Sequence, residues 1–159
     1  THLLAALEDA LRDNRPYRKI LNKISFLSNI AMPPALELGA DQGGVVLEQL
    51  KQQFPSAARR ALAASDPAEP ANLSAARLGA FIKRQLNARS LSPQTGASTD
   101  AILSRAEAAL ASGDLSTALA EIEVLTPAPA AQMAAWKALA EQKLARQNAL
   151  LSLRRLIEG

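Results

Sequence analysis

Leucine, isoleucine and alanine recur at three- and four-residue spacing along nearly the whole chain, and prolines and glycines cut that pattern into segments the length of single helices. A chain built this way is confined to helices stacked on helices. The first segment, Leu3 to Asp13, sets Leu3, Leu4, Leu7 and Leu11 on one face and is broken by Asn14-Arg15-Pro16. Pro16 suits the first turn of a second helix carrying Tyr17, Ile20, Leu21, Ile24 and Leu27. Met32-Pro33-Pro34 ends that run, and Gly39 to Gly44 reads as a loop around a short turn. A third helix is expected from Val45 to about Gln53, with Phe54-Pro55 restarting the chain into a fourth over Ser56 to Ala64.

Beyond a proline-punctuated joint at Asp66 to Pro70, Leu73 to Arg89 reads as one helix, followed by a flexible loop marked by Pro93 and Gly96. Thr99 or Asp100 then opens a helix with Ile102, Leu103, Ala106 and Leu110 facing inward. Gly113-Asp114 turns the chain, and Asp114 is placed to cap a helix bearing Leu115, Ala118, Leu119, Ile122 and Leu125. Pro127 and Pro129 precede a long last helix, about Ala130 to Ile157, whose stripe of Met133, Trp136, Ala140, Leu144 and Leu151 reads as a packing seam. The fold expected is an all-α bundle of short hairpins with a long C-terminal helix, dimerising or exchanging helices between protomers. No period of 20–50 residues repeats three times, which argues against an extended solenoid.

The composition agrees. Hydrophobic residues make up 48% of the chain but aromatics only 3%, and much of the rest is alanine, which favours helix and buries little area. The same composition supplies little catalytic chemistry. There is no cysteine, and the single histidine, His2, lies at the N-terminal end, so no catalytic residues and no metal ligands are assigned. Gln94-Thr95-Gly96-Ala97-Ser98-Thr99 lacks the lysine and the preceding strand of a phosphate loop. Glu121 and Glu123, two apart on a helix, point to different faces and do not pair as acid and base. The expectation is a protein that is not an enzyme and takes no cofactor. No stretch reaches the roughly 20 apolar residues that span a bilayer, and the start at Thr1 instead of Met reads as a trimmed or processed end.

Charge is unevenly placed. Residues 1–99 carry 12 Lys+Arg against 8 Asp+Glu, residues 100–159 carry 6 against 7, and between Pro70 and Thr99 four basic residues stand with no acid. On a helical wheel Leu78, Phe81, Ile82 and Leu86 share one arc, while Arg77, Lys83 and Arg84 occupy the opposite one. Arg89 falls near the apolar arc but at the helix end, where its side chain can snorkel. An ordinary bundle helix with a solvated basic back has the same periodicity. The lack of acids, the flanking proline joint and loop, and Phe-Ile beside Lys-Arg instead fit a helix lying on an anionic membrane. Each basic residue at such a surface contributes about 1 kcal/mol, so four give weak, salt-sensitive attachment. Nucleic acid would demand more charge and aromatic stacking platforms than Phe81 alone supplies, so no nucleic-acid partner is expected.

Several blocks in order resemble the C-terminal part of the bacterial mitofilin family. Leu11 with Pro16-Tyr17 to Leu21 resembles that family's opening motif, although Asn14-Arg15 departs from it. Leu47 to Ala63 (LEQLKQQFPSAARRALA) is similar to its "L…L…FP…AR.AL" block. Leu78 to Arg89, a Ser/Gly loop and Asp100 to Leu110 (DAILSRAEAAL) resemble its basic helix and signature, and the likeness runs on through Gly113-Asp114-Leu115 into Trp136. Residues 29–45 fit worst.

The resemblance implies a membrane-shaping and tethering scaffold of cristae-like or intracytoplasmic invaginations, anchored by an N-terminal transmembrane helix outside this chain and facing the bacterial periplasm. It divides the chain into a helical region of short hairpins (1–70), a lipid-binding helix (71–90), a loop (91–99) and a mitofilin-like hairpin with a long helix (100–159). Anionic membrane lipid would then be bound by Arg77, Leu78, Phe81, Ile82, Lys83, Arg84, Leu86 and Arg89. Assembly into a homo-oligomer, or with outer-membrane or contact-site proteins, would fall on Leu110, Leu119, Met133, Trp136, Leu144 and Leu151. The alternative is a soluble tetratricopeptide-like module, since Ala106 to Leu125 resembles one such hairpin, gripping a partner protein in a groove near Gly113 and Trp136.

Overall fold

A computed structural model describes residues 2–65 and 96–159, and those residues contain helices and no strands. Helix α1 (His2–Arg12) turns Leu4, Leu7 and Ala10 inward at three-residue spacing. It stops because Asn14 adopts a left-handed backbone (φ 54°) and the Arg15 N–H reaches back to the Ala10 carbonyl at 2.8 Å, a bond that satisfies an end carbonyl the helix itself cannot. Helix α2 (Arg18–Ser28) ends the same way, on Asn29 at φ 52°. A single turn, α3 (Pro34–Glu37), follows the Met32-Pro33-Pro34 break, with Pro34 at its start.

Helix α4 (Leu47–Ala63) corrects the expected division at Phe54-Pro55: one helix runs through, with Pro55 inside it. A mid-helix proline removes the bond to the carbonyl four residues back and costs about 3 kcal/mol. Burial on both sides of the break offsets that cost, because Phe54, Ala57, Ala58, Ala61 and Leu62 are all enclosed.

Helix α5 (Thr99–Ala111) starts one residue after its cap, Ser98, whose hydroxyl accepts from the Ala101 N–H at 3.3 Å. Its end is a full double-bond cap on Gly113 (φ 85°): Gly113 N–H bonds the Leu110 carbonyl and Asp114 N–H bonds the Ala109 carbonyl at 2.9 Å. Asp114 then caps α6 (Leu115–Glu123) as expected, accepting from the Thr117 N–H at 2.9 Å and from its hydroxyl at 2.6 Å. Those hydrogen bonds, the Thr117 side chain foremost, hold its carboxyl below the usual carboxylate value. Helix α7 (Pro127–Glu158) begins earlier than the sequence pattern suggests. Pro127 and Pro129 both fall in its first turn, where backbone N–H groups have no helical acceptor to lose.

The chain divides into two compact units, each discontinuous in sequence. Unit 1 comprises Thr1–Leu50 with Ala138–Gly159, and unit 2 comprises Lys51–Lys137. In unit 1 a core of Leu4, Leu7, Tyr17, Leu21, Ile24 and Leu36 is closed by Leu153 from the last turns of α7. In unit 2 the α5–α6 hairpin buries Leu103, Ala106, Leu110, Ala118 and Ile122, with Met133 and Trp136 of α7 also enclosed. The Trp136 ring meets Phe54 edge-on, centroids 5.0 Å apart.

Candidate functional site

The buried face of α7 does not follow the expected stripe to its end. Met133, Trp136 and Ala140 are enclosed, but Leu144 is half-buried and Leu151 is 50% exposed. A straight helix of 3.6 residues per turn drifts from a seven-residue repeat. From Ala140 the inward line therefore passes through Lys143, Arg146, Leu150 and Leu153. Two cations thus stand on the packing face of unit 1, three residues apart and so neighbours on the helix.

Arg146 is only 6% exposed. Its guanidinium lies against the glycine loop that follows α3: Nη2 donates to the Leu38 carbonyl at 3.3 Å, and Nη1 rests where a side chain on Gly44 would have to go. The loop is fixed in turn by α2. Arg18 grips Asp41 (Nη2 to Oδ2, 2.9 Å) and donates to the Glu37 carbonyl, the Tyr17 and Arg18 N–H groups bond the Ala40 carbonyl, and the Tyr17 hydroxyl donates to the Leu38 carbonyl at 3.4 Å. Gly43 (φ 85°) brings the loop so close to Asn14 that a Cβ there would lie 2.5 Å from its carbonyl oxygen. Burial pushes the Tyr17 phenol above its usual value, opposed by the positive charges of Arg146 and Arg18.

The Nε of Arg146 is buried and has no hydrogen-bond partner. Among the described residues no carboxylate lies within ion-pairing distance of Arg146 or of Lys143. Both line a recess of about 170 Å³ together with Leu11, Val45, Gln147 and Leu150. Two further charged groups at its wall are already matched: Glu8 pairs with Arg154, and Arg12 pairs with Asp9 and Asp13. Burial, and then the adjacent charge of Arg146, lower the Lys143 pKa.

The residues proposed for lipid contact, Arg77, Leu78, Phe81, Ile82, Lys83, Arg84, Leu86 and Arg89, lie outside the described residues, as does most of the 91–99 loop. Of those proposed for assembly, Leu110, Leu119, Met133 and Trp136 are buried inside unit 2, so Trp136 does not line an open groove. Glu121 and Glu123 do serve different partners: Glu121 accepts from Arg105 at 2.9 Å, and Glu123 pairs with Lys137. Sequence reasoning passed over Arg146 and Lys143 because they interrupt an apolar stripe. The signal was their register, on the helical line that continues Met133, Trp136 and Ala140. Among the described residues no helix is long and apolar enough to cross a membrane. Comparison with protein-family models, curated proteins and solved structures finds no match to this chain.

Proposed function

We propose that this chain is the helical, membrane-contacting part of a non-enzymatic scaffold of mitofilin type, which binds anionic lipid and self-associates to shape or tether membranes. The observation that carries the reading is the acid-free amphipathic stretch with Leu78, Phe81, Ile82 and Leu86 on one arc and Arg77, Lys83 and Arg84 on the other. Four cations and a partly inserted apolar face give reversible attachment, which clustering of copies makes firm. Self-association in this reading draws on apolar side chains left in solvent, such as Phe26 (87% exposed), Leu27 (72%) and Leu151, because the buried set in unit 2 has no surface to offer. The setting is the periplasmic face of a bacterial inner membrane, with the anchor in sequence beyond this chain and contact-site or outer-membrane proteins as further partners.

Flotation with vesicles containing anionic lipid tests it. Lys83→Glu with Arg84→Glu is expected to abolish recovery with the vesicles, and Phe81→Asp to weaken it. Equal flotation of all three proteins overturns the reading. A soluble tetratricopeptide-like adaptor is the second reading, supported by the close α5–α6 hairpin, and it predicts no recovery with vesicles for any of them.

A further inference from the structure

A buried arginine normally faces a carboxylate, because removing an ion from water without a counter-charge is strongly unfavourable. Arg146 faces the Leu38 carbonyl, the neutral Tyr17 hydroxyl and the loop at Gly39 and Gly44 instead, with Lys143 beside it. Like charges this close repel, and the carboxylate that lines the recess, Glu8, is engaged by Arg154. Unit 1 therefore holds two cations whose counter-charge its own described residues do not supply.

We propose that the recess between Arg146 and Lys143 is a binding site for a phosphate group carried on a small organic body. Arg146 offers a planar, permanently charged fork and Lys143 a mobile point charge, a combination suited to the several oxygens of a phosphate. Leu11, Val45 and Leu150 also line the recess and suit carbon atoms, Gln147 adds an amide, and the remaining lining charges, Glu8 and Arg12, are paired with Arg154 and with Asp9 and Asp13. A volume of about 170 Å³ accommodates a phosphate with a glycerol-sized body. Burial, and then the charge of Arg146, lower the Lys143 pKa, and an anion seated between the two cations offsets the repulsion. The phosphate comes either from a soluble phosphomonoester or from a lipid headgroup. The residues that make this site all lie outside the basic segment at 71–90 in sequence, and the proposal does not rest on that segment.

The test is titration of the intact chain with inorganic phosphate and with glycerol 3-phosphate in a chloride background, followed by calorimetry, and co-sedimentation with phosphatidylcholine vesicles with and without phosphatidic acid. Saturable binding of glycerol 3-phosphate, weakened at least tenfold by Lys143→Met and by Arg146→Met but not by Lys23→Met, supports a soluble source. Failure of both soluble compounds, with phosphatidic acid vesicles retained less by Lys143→Met than by Lys23→Met, supports the headgroup source. Lys143→Met carries the test even if Arg146→Met does not fold, because its side chain is only partly enclosed. The Lys83→Glu, Arg84→Glu protein is expected to keep any binding of soluble phosphate, which separates this site from the membrane segment. No saturable binding of either soluble compound, with Lys143→Met and Lys23→Met sedimenting alike, overturns the proposal.

Discussion

The edge of one ring in the Phe54–Trp136 pair meets the face of the other at 79°, with centroids 5.0 Å apart, and both side chains are almost fully enclosed. Edge-to-face contact sets the positive rim of one ring against the negative face of the other. Among the described residues of unit 2, whose core is otherwise mostly alanine, leucine and isoleucine with Met133, this pair contributes the largest buried side chains. Truncation to alanine at either position is expected to cost about 3–5 kcal/mol. The double mutant should be less destabilised than the sum by about 1 kcal/mol, the part that belongs to the ring contact itself. Urea denaturation of the four proteins measures this, and strict additivity would show that the rings merely fill space.

Gly43→Ala meets two penalties together. Its backbone is left-handed at φ 85°, which disfavours any L side chain by roughly 1–2 kcal/mol. The new methyl would also sit 2.5 Å from the Asn14 carbonyl oxygen and 2.6 Å from Asn14 Oδ1. Since the first of these is backbone, the loop has to move. The expected result is a loss of more than about 1 kcal/mol in stability by denaturant titration. The same change should weaken retention in unit 1 of Arg146, which leans on the neighbouring Gly44 and Gly39.

Tyr17 links stability to alkaline pH. Its phenol is pushed above the ordinary value near 10 by burial, so the folded state holds that proton more tightly than the unfolded chain does. The contribution is complete below the unfolded value and is lost as pH rises through the folded one. Thermal melts from pH 8 to 11 should show a decline for the native protein that is shallower in Tyr17→Phe. An identical slope in both would show that the phenol ionises equally well in either state.

Much of the architecture was legible because its signals are local. The three- and four-residue spacing of Leu4, Leu7, Leu21 and Ile24 locates α1 and α2, and Gly113-Asp114 encodes both the end of α5 and the start of α6. Proline was the misleading residue. Pro55 reads as a boundary, yet α4 passes through it because the buried Phe54, Ala57 and Ala58 hold both sides together. Pro127 and Pro129 read as a separator, yet they sit inside the first turn of α7, where a missing N–H has no consequence. The cationic recess stayed hidden for a different reason. A charged side chain at a seam position looks like the end of the seam, and only the Gly39–Gly44 loop, distant in sequence, turns Arg146 into a buried group.

Unit 1 is closed by chain segments far apart in the order of synthesis: Leu153 completes the core begun by Leu4 and Leu7, and Glu8 pairs with Arg154 across 146 residues. At about 5–20 residues per second, a ribosome delivers the closing turn roughly 7–30 seconds after the opening one. Throughout that interval the nascent leucines of α1 and α2 lack their lid and are open to chaperones. The α5–α6 hairpin, made from adjacent residues, has no such delay and can form as it emerges, so translation itself orders the assembly of the two units.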